Sequence, residues 1–397
     1  MQMNEQARAG GLLREEGARN NRVTPMELFF DLVYVFAITQ LSHLLLDHLN
    51  VRGALQTGLL LLAVWWAWVY TAWATNWFDP NQRPVRIMLI AVMVASLIMS
   101  AVIPEAFAER GLLFAGAYVA MQIGRTSFVI WGMGARPVLR QNFQRVLVWH
   151  IGSGIFWIAG ALVSGSTREV LWLAAVAVDL AGPVSGFYIP GLGRSSTHDW
   201  TIDGEHLAER CQLFLIIALG ESILVTGATF GELEITPQTV AGFVVAFLGS
   251  VALWWVYFDR GAGAAAETIA HSDDPGALGR SAYTYLHLPM VAGVIVTAVG
   301  DELAIAHPLG HASPEIVATV LGGPALFLAG HMLFKRAVFG VWSWSRLAAI
   351  VLLGVIAIAG REWAPLALAA SILPIVAAVS WWDSRSPHGA SGGATSH

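Results

Sequence analysis

The chain has 397 residues, of which 56% are hydrophobic and 12% are charged, and its formal net charge is -5. Apolar content this high excludes an ordinary soluble protein, and the negative charge gives no reason to expect a nucleic-acid partner. The single cysteine, Cys211, excludes an internal disulfide and any metal or iron–sulfur site built from several cysteines. The composition therefore predicts a multi-pass membrane protein.

About twelve apolar stretches follow one another along the chain, each of roughly 20 residues, the length that crosses about 30 Å of hydrocarbon. They are continuously apolar, whereas the strands of a membrane barrel alternate between two faces. The predicted spans are 25–46, 53–75, 85–103, 111–133, 143–163, 169–189, 206–228, 239–258, 282–300, 314–334, 341–360 and 363–382. The predicted fold class is an all-α integral membrane protein with about twelve transmembrane helices.

The basic residues predict how these helices are oriented. Of the 22 Lys and Arg residues, most fall in segments that share one side of the membrane. Basic residues accumulate on the cytoplasmic side, so both termini are predicted to be cytoplasmic. Residues 1–24 mix arginine with glutamate and contain no apolar core, so no cleavable signal peptide is expected. The first span would then direct the chain into the membrane.

Composition divides the chain into five predicted segments. They are a cytoplasmic N-terminal segment (1–24), a first six-helix half (25–189), a cytoplasmic linker (190–205), a second six-helix half (206–382) and a disordered Gly/Ser-rich tail (383–397). The motif Trp-Val-Tyr occurs late in the second span, at 68–70, and late in the eighth, at 255–257. This spacing favours a parallel six-plus-six repeat. Convergent aromatic belts at the membrane surface are the alternative.

The first span begins with acidic residues in an otherwise apolar helix, RVTPMELFFDLVYVFAITQLSHLL. Glu27 and Asp31 are four residues apart and therefore share one helix face. Thr24 and Pro25 before them are typical of an N-cap and a first helical turn. The acidic face either attracts a cation or proton, or it favours the positive end of the helix dipole. The dipole interpretation is preferred for Glu27, and both interpretations stay open for Asp31.

The seventh span, GEHLAERCQLFLIIALGESILVTG, joins a polar start to a carboxylate far along the helix. Its predicted cytoplasmic rim consists of His206, Glu209 and Arg210. Glu221 follows roughly 22 Å beyond His206 at about 1.5 Å per residue. A carboxylate at that depth is a candidate for substrate or ion binding, and a structural ion pair is the alternative.

Two further charged residues lie within predicted spans. Arg125 is the only basic residue well inside a helix, and Asp179 is the other deep acid. Arg125 is expected to pair with Asp179 or with Glu221, and the sequence does not choose between them. The acid that is left over would be available to bind a proton or an ion.

Missing motifs exclude several chemistries. No span has a central lysine for a retinal Schiff base, and no Walker-type loop, G-x-S-x-G nucleophile or H-E-x-x-H helix is present. Four histidines near span ends form no close ligand pair, so we expect packing rather than metal binding; they are His150, His206, His287 and His331. No catalytic residue, metal or cofactor is predicted. Gly-Gly-Pro at 322–324 predicts a break in the tenth span, as at many transporter sites and at plain kinks.

The chain resembles the bacterial low temperature requirement A (LtrA) family in the two stretches quoted above and in WVYTAWATNWFDP and WWVYFDR. The resemblance implies a polytopic inner-membrane protein associated with growth in the cold, and it implies no particular reaction. The stretch LFFDLVYVFAITQL is also similar to the F-S-D-containing first helix of a potassium-channel family whose longer members have two six-helix repeats. Here Phe30 replaces the serine of that motif, and the seventh span has no second copy.

Three classes of function remain. The first is transport or permeation of a small cation, a proton or a small solute, with Asp31, Glu221 and Asp179 as charge-binding groups and Arg125 as their counter-charge. The second is an intramembrane enzyme or binder that acts on a lipid or isoprenoid, with Glu221 and His206 as acid and base. The third is a regulatory membrane protein. The span count and the candidate repeat favour transport, with the lipid bilayer as a partner and homo-oligomerisation left open.

Overall fold

The computed structural model of the chain describes residues 11–14, 22–134, 136–259 and 261–385. Within these ranges the chain is helical, with two isolated bridges and no named strand. We number the helices of 16 residues or more. They are α1 (Pro25–Asp47), α2 (Val51–Trp77), α3 (Arg83–Ala101), α4 (Gly111–Gly132), α5 (Pro137–Ala161), α6 (Ser166–Val184), α7 (Gly204–Glu232), α8 (Pro237–Phe258), α9 (His287–Ala306), α10 (Pro314–Phe339), α11 (Trp344–Ala359) and α12 (Pro365–Arg385).

In the part of the chain that the structure describes, 9 helices are long and apolar enough to cross a membrane. They are α1 to α4, α7 to α10 and α12, with α8 and α9 counted together with the short helices beside them. Of the remaining three, α11 has only 16 residues, and α6 carries Arg168, Glu169 and Asp179. The structure confirms the all-α membrane class, whereas the count of twelve spans and the cytoplasmic termini stay predictions.

Several helices begin and end where the sequence supplies a cap. At the start of α1, the Glu27 N–H donates to Thr24 Oγ1 at 3.3 Å and the Thr24 N–H donates to Glu27 Oε2 at 2.9 Å. This reciprocal pair is a capping box. Ser313 accepts a backbone N–H of the first turn of α10, and Pro314 follows it. The same helix ends at Gly340, whose φ of 72° suits glycine.

The chain forms two compact units. The first contains the described residues of Met1–Leu44, Val51–Arg210 and Asp273–Arg280, and the second contains those of Leu45–Asn50, Cys211–Ser272 and Ser281–His397. In the first unit α3 packs on α4, α4 on α5 and α5 on α6, and α2 packs on α4 and α6. In the second unit α9 packs on α10, α10 on α11 and α11 on α12, and α8 packs on α10 and α12. The order of neighbours is the same in the two units. The six-plus-six repeat and the boundaries of its halves stay predictions.

The expected break in α10 is wrong. The helix runs without interruption from Pro314 to Phe339, across the Gly-Gly-Pro sequence. A Cβ on Gly323 would lie 2.5 Å from the backbone nitrogen of Thr297, and a Cβ on Gly293 would lie 2.5 Å from that of Phe327. Helices α9 and α10 therefore pack backbone against backbone, and this contact supports α10 where proline removes a hydrogen bond.

The prediction of a disordered tail over 383–397 is wrong for its first three residues. Asp383 to Arg385 belong to the last turn of α12. An ion pair from Arg346 at 2.8 Å and another from Lys335 at 3.3 Å hold Asp383 in place. The rest of that tail, 386–397, lies outside the described residues, as do 1–10 and 15–21 of the predicted N-terminal segment.

Candidate functional site

The first unit buries a group of ionic side chains that we term the ion cluster, consisting of Arg14, Glu27, Asp31, His206 and Arg210. Arg210 lies at its centre, because it donates to Glu27 Oε1 at 3.0 Å and to Asp31 Oδ1 at 2.6 Å. All three of these side chains are fully buried. From the sequence, Arg210 was predicted at the cytoplasmic rim, whereas it is the direct partner of both carboxylates. Removal of one charge from such a cluster leaves another buried without compensation.

Glu27 holds the start of α7 and the segment 11–14 against α1. Its Oε2 accepts from Arg14 at 3.0 Å, and its Oε1 lies 3.0 Å from His206 Nε2. Two donors also face the His206 ring, the Asn76 amide at 3.3 Å from Nδ1 and the Arg14 guanidinium at 3.1 Å from Nε2. The preferred dipole interpretation of Glu27 was therefore incomplete, since the same carboxylate is both a cap and an ion-pair partner.

Helix α2 completes the ion cluster. The Trp68 indole donates to Asp31 Oδ1 at 2.8 Å, and Arg210 donates to Thr75 Oγ1 at 2.9 Å. Among the described residues, Asp31 Oδ2 has no hydrogen-bond partner. The third predicted rim residue, Glu209, accepts the backbone N–H of Val23 at 3.1 Å. These contacts fix α1, α2 and α7 together within the first unit.

A second buried group, which we term the polar chain, runs through Thr71, Arg125, Gln122, Tyr118 and Asp179. Arg125 donates to Thr71 Oγ1 at 3.1 Å and to Gln122 Oε1. Gln122 donates to the Tyr118 hydroxyl at 3.0 Å, and that hydroxyl donates to Asp179 Oδ2 at 2.8 Å. Of the two alternatives left open for Arg125, direct pairing with Asp179 is wrong, because the neutral side chains of Gln122 and Tyr118 separate them.

Asp179 and His150 face each other at the end of the polar chain. Asp179 is 6% exposed, and Trp157 also donates to its Oδ2, at 3.3 Å. Its Oδ1 accepts no hydrogen bond within the described ranges and lies 3.9 Å from His150 Nδ1. His150 Nε2 has no partner there either. A carboxylate and an imidazole thus meet in the core, each with a position that can take a proton.

Helix α2 joins the ion cluster to the polar chain. Thr75 and Trp68 contact the ion cluster, whereas Thr71 contacts Arg125. The Trp66 indole donates to the backbone carbonyl of Asp179 at 3.1 Å. Thr75 and Trp66 are nine residues apart, or about 13.5 Å along the helix. The buried polar groups therefore extend over a considerable depth of the first unit.

The remaining predicted site residue, Glu221, lies in the second unit and is 3% exposed. Its neighbour Ser222 is hydrogen-bonded to Ser250 at 3.1 Å. The second unit also buries a His287–Tyr257 pair, in which the Tyr257 hydroxyl and His287 Nε2 are 2.7 Å apart. Within the described residues, no group of three or more His, Cys, Asp or Glu is arranged to hold a metal ion.

One part of the polar chain had a signal in the sequence. Tyr118, Gln122 and Arg125 are spaced i, i+4 and i+7, so they form one polar stripe on α4. Only the charged member of that stripe, Arg125, was predicted as a site residue. Arg14 had no such signal, because it belongs to no periodic segment.

Comparison with known proteins places these residues in a family. The family model described as "Bacterial low temperature requirement A protein (LtrA)" matches residues 22–381. The chain belongs to the LtrA family. An uncharacterized protein of Rhizobium meliloti (strain 1021) is 40% identical to it over 343 residues, which are 86% of this chain and 84% of that protein. No solved structure matches. The resemblance seen in the sequence is confirmed, and the matched region includes the whole polar chain.

Proposed function

We propose that this LtrA-family membrane protein transports protons, and that Asp179 and His150 of the first unit form the proton-binding pair. The observation that carries the proposal is the buried Asp179 carboxylate, whose Oδ1 faces the His150 ring at 3.9 Å. Among the described residues, no arginine or lysine lies within ion-pair distance of it. A buried carboxylate beside an imidazole is suited to exchange of a proton.

Asp31 is less suited to this role. One of its oxygens is hydrogen-bonded to both Arg210 and Trp68, so proton uptake there would compete with a fully buried ion pair. The ion cluster instead anchors α7 to α1 and α2. The polar chain then supplies hydrogen-bonding groups between Asp179 and the part of α2 that contacts the ion cluster.

Proton flux into proteoliposomes tests the proposal. The purified protein is reconstituted with an internal pH-sensitive dye, a pH gradient is imposed, and valinomycin with potassium fixes the membrane potential. Each gradient is applied with and without pyruvate, a small carboxylate, so that flux that needs a co-transported anion is also detected. We expect flux above that of protein-free liposomes for the wild type, and flux at that background for Asp179→Asn and His150→Gln. Glu169→Gln is the matched control, because Glu169 lies on the same helix but is paired with Arg52 at 2.8 Å.

Wild-type flux equal to that of protein-free liposomes in every condition would exclude proton transport. Loss of flux in Glu169→Gln equal to that in Asp179→Asn would show that the effect is not specific to the buried pair. The family's description also supports a role in growth at low temperature. Growth of a deletion strain in the cold, complemented with wild type or with Asp179→Asn, tests that part.

A further inference from the structure

Arg125 is a buried cation whose hydrogen bonds all go to neutral oxygens. It is 2% exposed and lies well inside α4. Its Nη1 donates to Ala67 O and Thr71 Oγ1, both at 3.1 Å, and its Nη2 donates to Gln122 Oε1. Within the described ranges these are the hydrogen bonds of the Arg125 guanidinium, and none of them comes from Nε. A guanidinium at such a depth is costly unless an anion accompanies it.

Arg168 shows how the same unit compensates an arginine by other means. It is 6% exposed and also contacts no carboxylate among the described residues. Its guanidinium donates to four backbone carbonyls near the ends of helical segments, those of Ala106, Ala108, Gly160 and Val163. Carbonyls at helix C-termini carry partial negative charge, so the protein itself stabilises this cation. Arg125 has no equivalent compensation.

Arg125 also lies close to the proposed proton-binding pair. The Tyr70 ring is 5.3 Å from Arg125 Cζ, and the centre of the same ring is 4.7 Å from that of His150. The polar chain connects Arg125 to Asp179 through Gln122 and Tyr118. A ligand at Arg125 would therefore act on the charge of Asp179 and His150 through a medium of low dielectric constant.

We propose that Arg125 binds a small monocarboxylate, and that this anion is the co-substrate of the proton. The proposal rests on proton transport by Asp179 and His150. The Nε–H and one Nη2–H of Arg125 lie on one edge of the guanidinium and match the two oxygens of a carboxylate. A spherical anion such as chloride would use this edge less well.

Charge balance couples the two substrates. Before binding, the positive charge of Arg125 and the negative charge of Asp179 sum to zero, with His150 neutral. A bound carboxylate adds one negative charge, and a proton taken up by the Asp179–His150 pair adds one positive charge, so the sum is again zero. Either substrate alone would leave a net charge in the buried site, which is strongly disfavoured there. The expected reaction is electroneutral symport.

Calorimetry on the purified full-length protein tests the inference. Pyruvate, lactate and acetate are titrated into the protein in two buffers of different ionisation enthalpy, so that the difference in heat reports the protons taken up. We expect uptake of about one proton per carboxylate bound by the wild type. Arg125→Gln should abolish binding, and Arg125→Lys should weaken it, because lysine lacks the planar fork. Asp179→Asn should bind without proton uptake.

Two further variants separate binding from folding. Gln122→Glu places a carboxylate beside Arg125, so it should preserve the fold and block binding through an internal anion. Arg168→Gln is the matched arginine control and should bind as the wild type does, even where its stability is lower. Circular dichroism and gel filtration report folding in each case.

The outcomes distinguish this inference from the proposed function. Absence of binding for all three carboxylates, or wild-type binding by both Arg125→Gln and Gln122→Glu, overturns the anion site. If the anion site is overturned but proton flux occurs in liposomes without carboxylate, the proposal of proton transport is retained. Binding without proton flux in any liposome condition overturns proton transport and the co-substrate role, and it leaves Arg125 as an anion site.

Discussion

Arg210→Gln is the substitution that most directly tests the ion cluster. Arg210 gives Asp31 its only ion pair among the described residues, at 2.6 Å. Without it Asp31 would keep only the Trp68 N–H at 2.8 Å, whereas Glu27 would keep Arg14 and His206. The main cost therefore falls on Asp31. Loss of one partner from a buried pair costs about 3–5 kcal/mol of unfolding free energy, and we expect a loss of that size.

A double-mutant cycle with Asp31→Asn isolates the pair. Asp31→Asn alone should cost roughly 1.5–3 kcal/mol, since Arg210 keeps Glu27 and Thr75 but loses a charged acceptor. The double variant Arg210→Gln/Asp31→Asn lacks both charges, so neither charge remains buried without its partner. The double variant should thus be more stable than the sum of the single losses by about 2–3 kcal/mol.

SDS-titration unfolding in mixed micelles, followed by tryptophan fluorescence, measures these free energies. The exposed pair of Arg52 and Glu169 is the control cycle, because its side chains are 64% and 26% exposed and its coupling should stay below about 1 kcal/mol. Additive losses for Arg210 and Asp31, within the error of the control cycle, would refute the buried ion pair.

Three further substitutions have distinct expected results in the same unfolding assay. Gly323→Ala should cost about 1–3 kcal/mol because its Cβ would meet the α9 backbone at 2.5 Å, whereas Gly322→Ala, with no atom within 4 Å, should cost little; equal losses would contradict the close packing. Trp68→Phe should cost about 1.5–3 kcal/mol in the wild type and clearly less in Asp31→Asn, because the lost N–H serves that carboxylate. Tyr118→Phe should cost about 1–3 kcal/mol and also lower proton flux; unchanged flux would remove the polar chain from the transport path.

The positions of the helices could be predicted from the sequence, because an apolar run of membrane length has few stable structures other than a helix. Each of the twelve long helices overlaps a predicted span, and Thr24 caps α1 as its residue type suggested. The predicted break at 322–324 is wrong because these residues pack against another helix in the tertiary structure. Glycines that look like a break in one helix are here the contact surface for another, which a single-sequence pattern does not reveal.

The residues of the candidate site could be predicted from the sequence, but the residues that they contact could not. Glu27, Asp31, Asp179 and Arg125 stood out because charge is rare in apolar helices. Their partners depend on how helices distant in sequence meet, so neither the Arg210–Asp31 pair nor the link from Arg125 to Asp179 could be read from spacing. His150 was expected to serve packing, and only its position opposite Asp179 marks it as a proton-binding candidate.

Partners, rather than burial, separate the roles of the two deep aspartates in the first unit. Asp31 and Asp179 are both buried, and each has one oxygen without a partner among the described residues. Asp31 is held by a guanidinium, so its charge is used to join α1 to α7. Asp179 is held by the neutral donors of Tyr118 and Trp157, and no arginine or lysine among the described residues pairs with it. A group whose charge stabilises the fold cannot change that charge cheaply, and it follows that Asp179 is the better candidate for a cycle of proton binding and release.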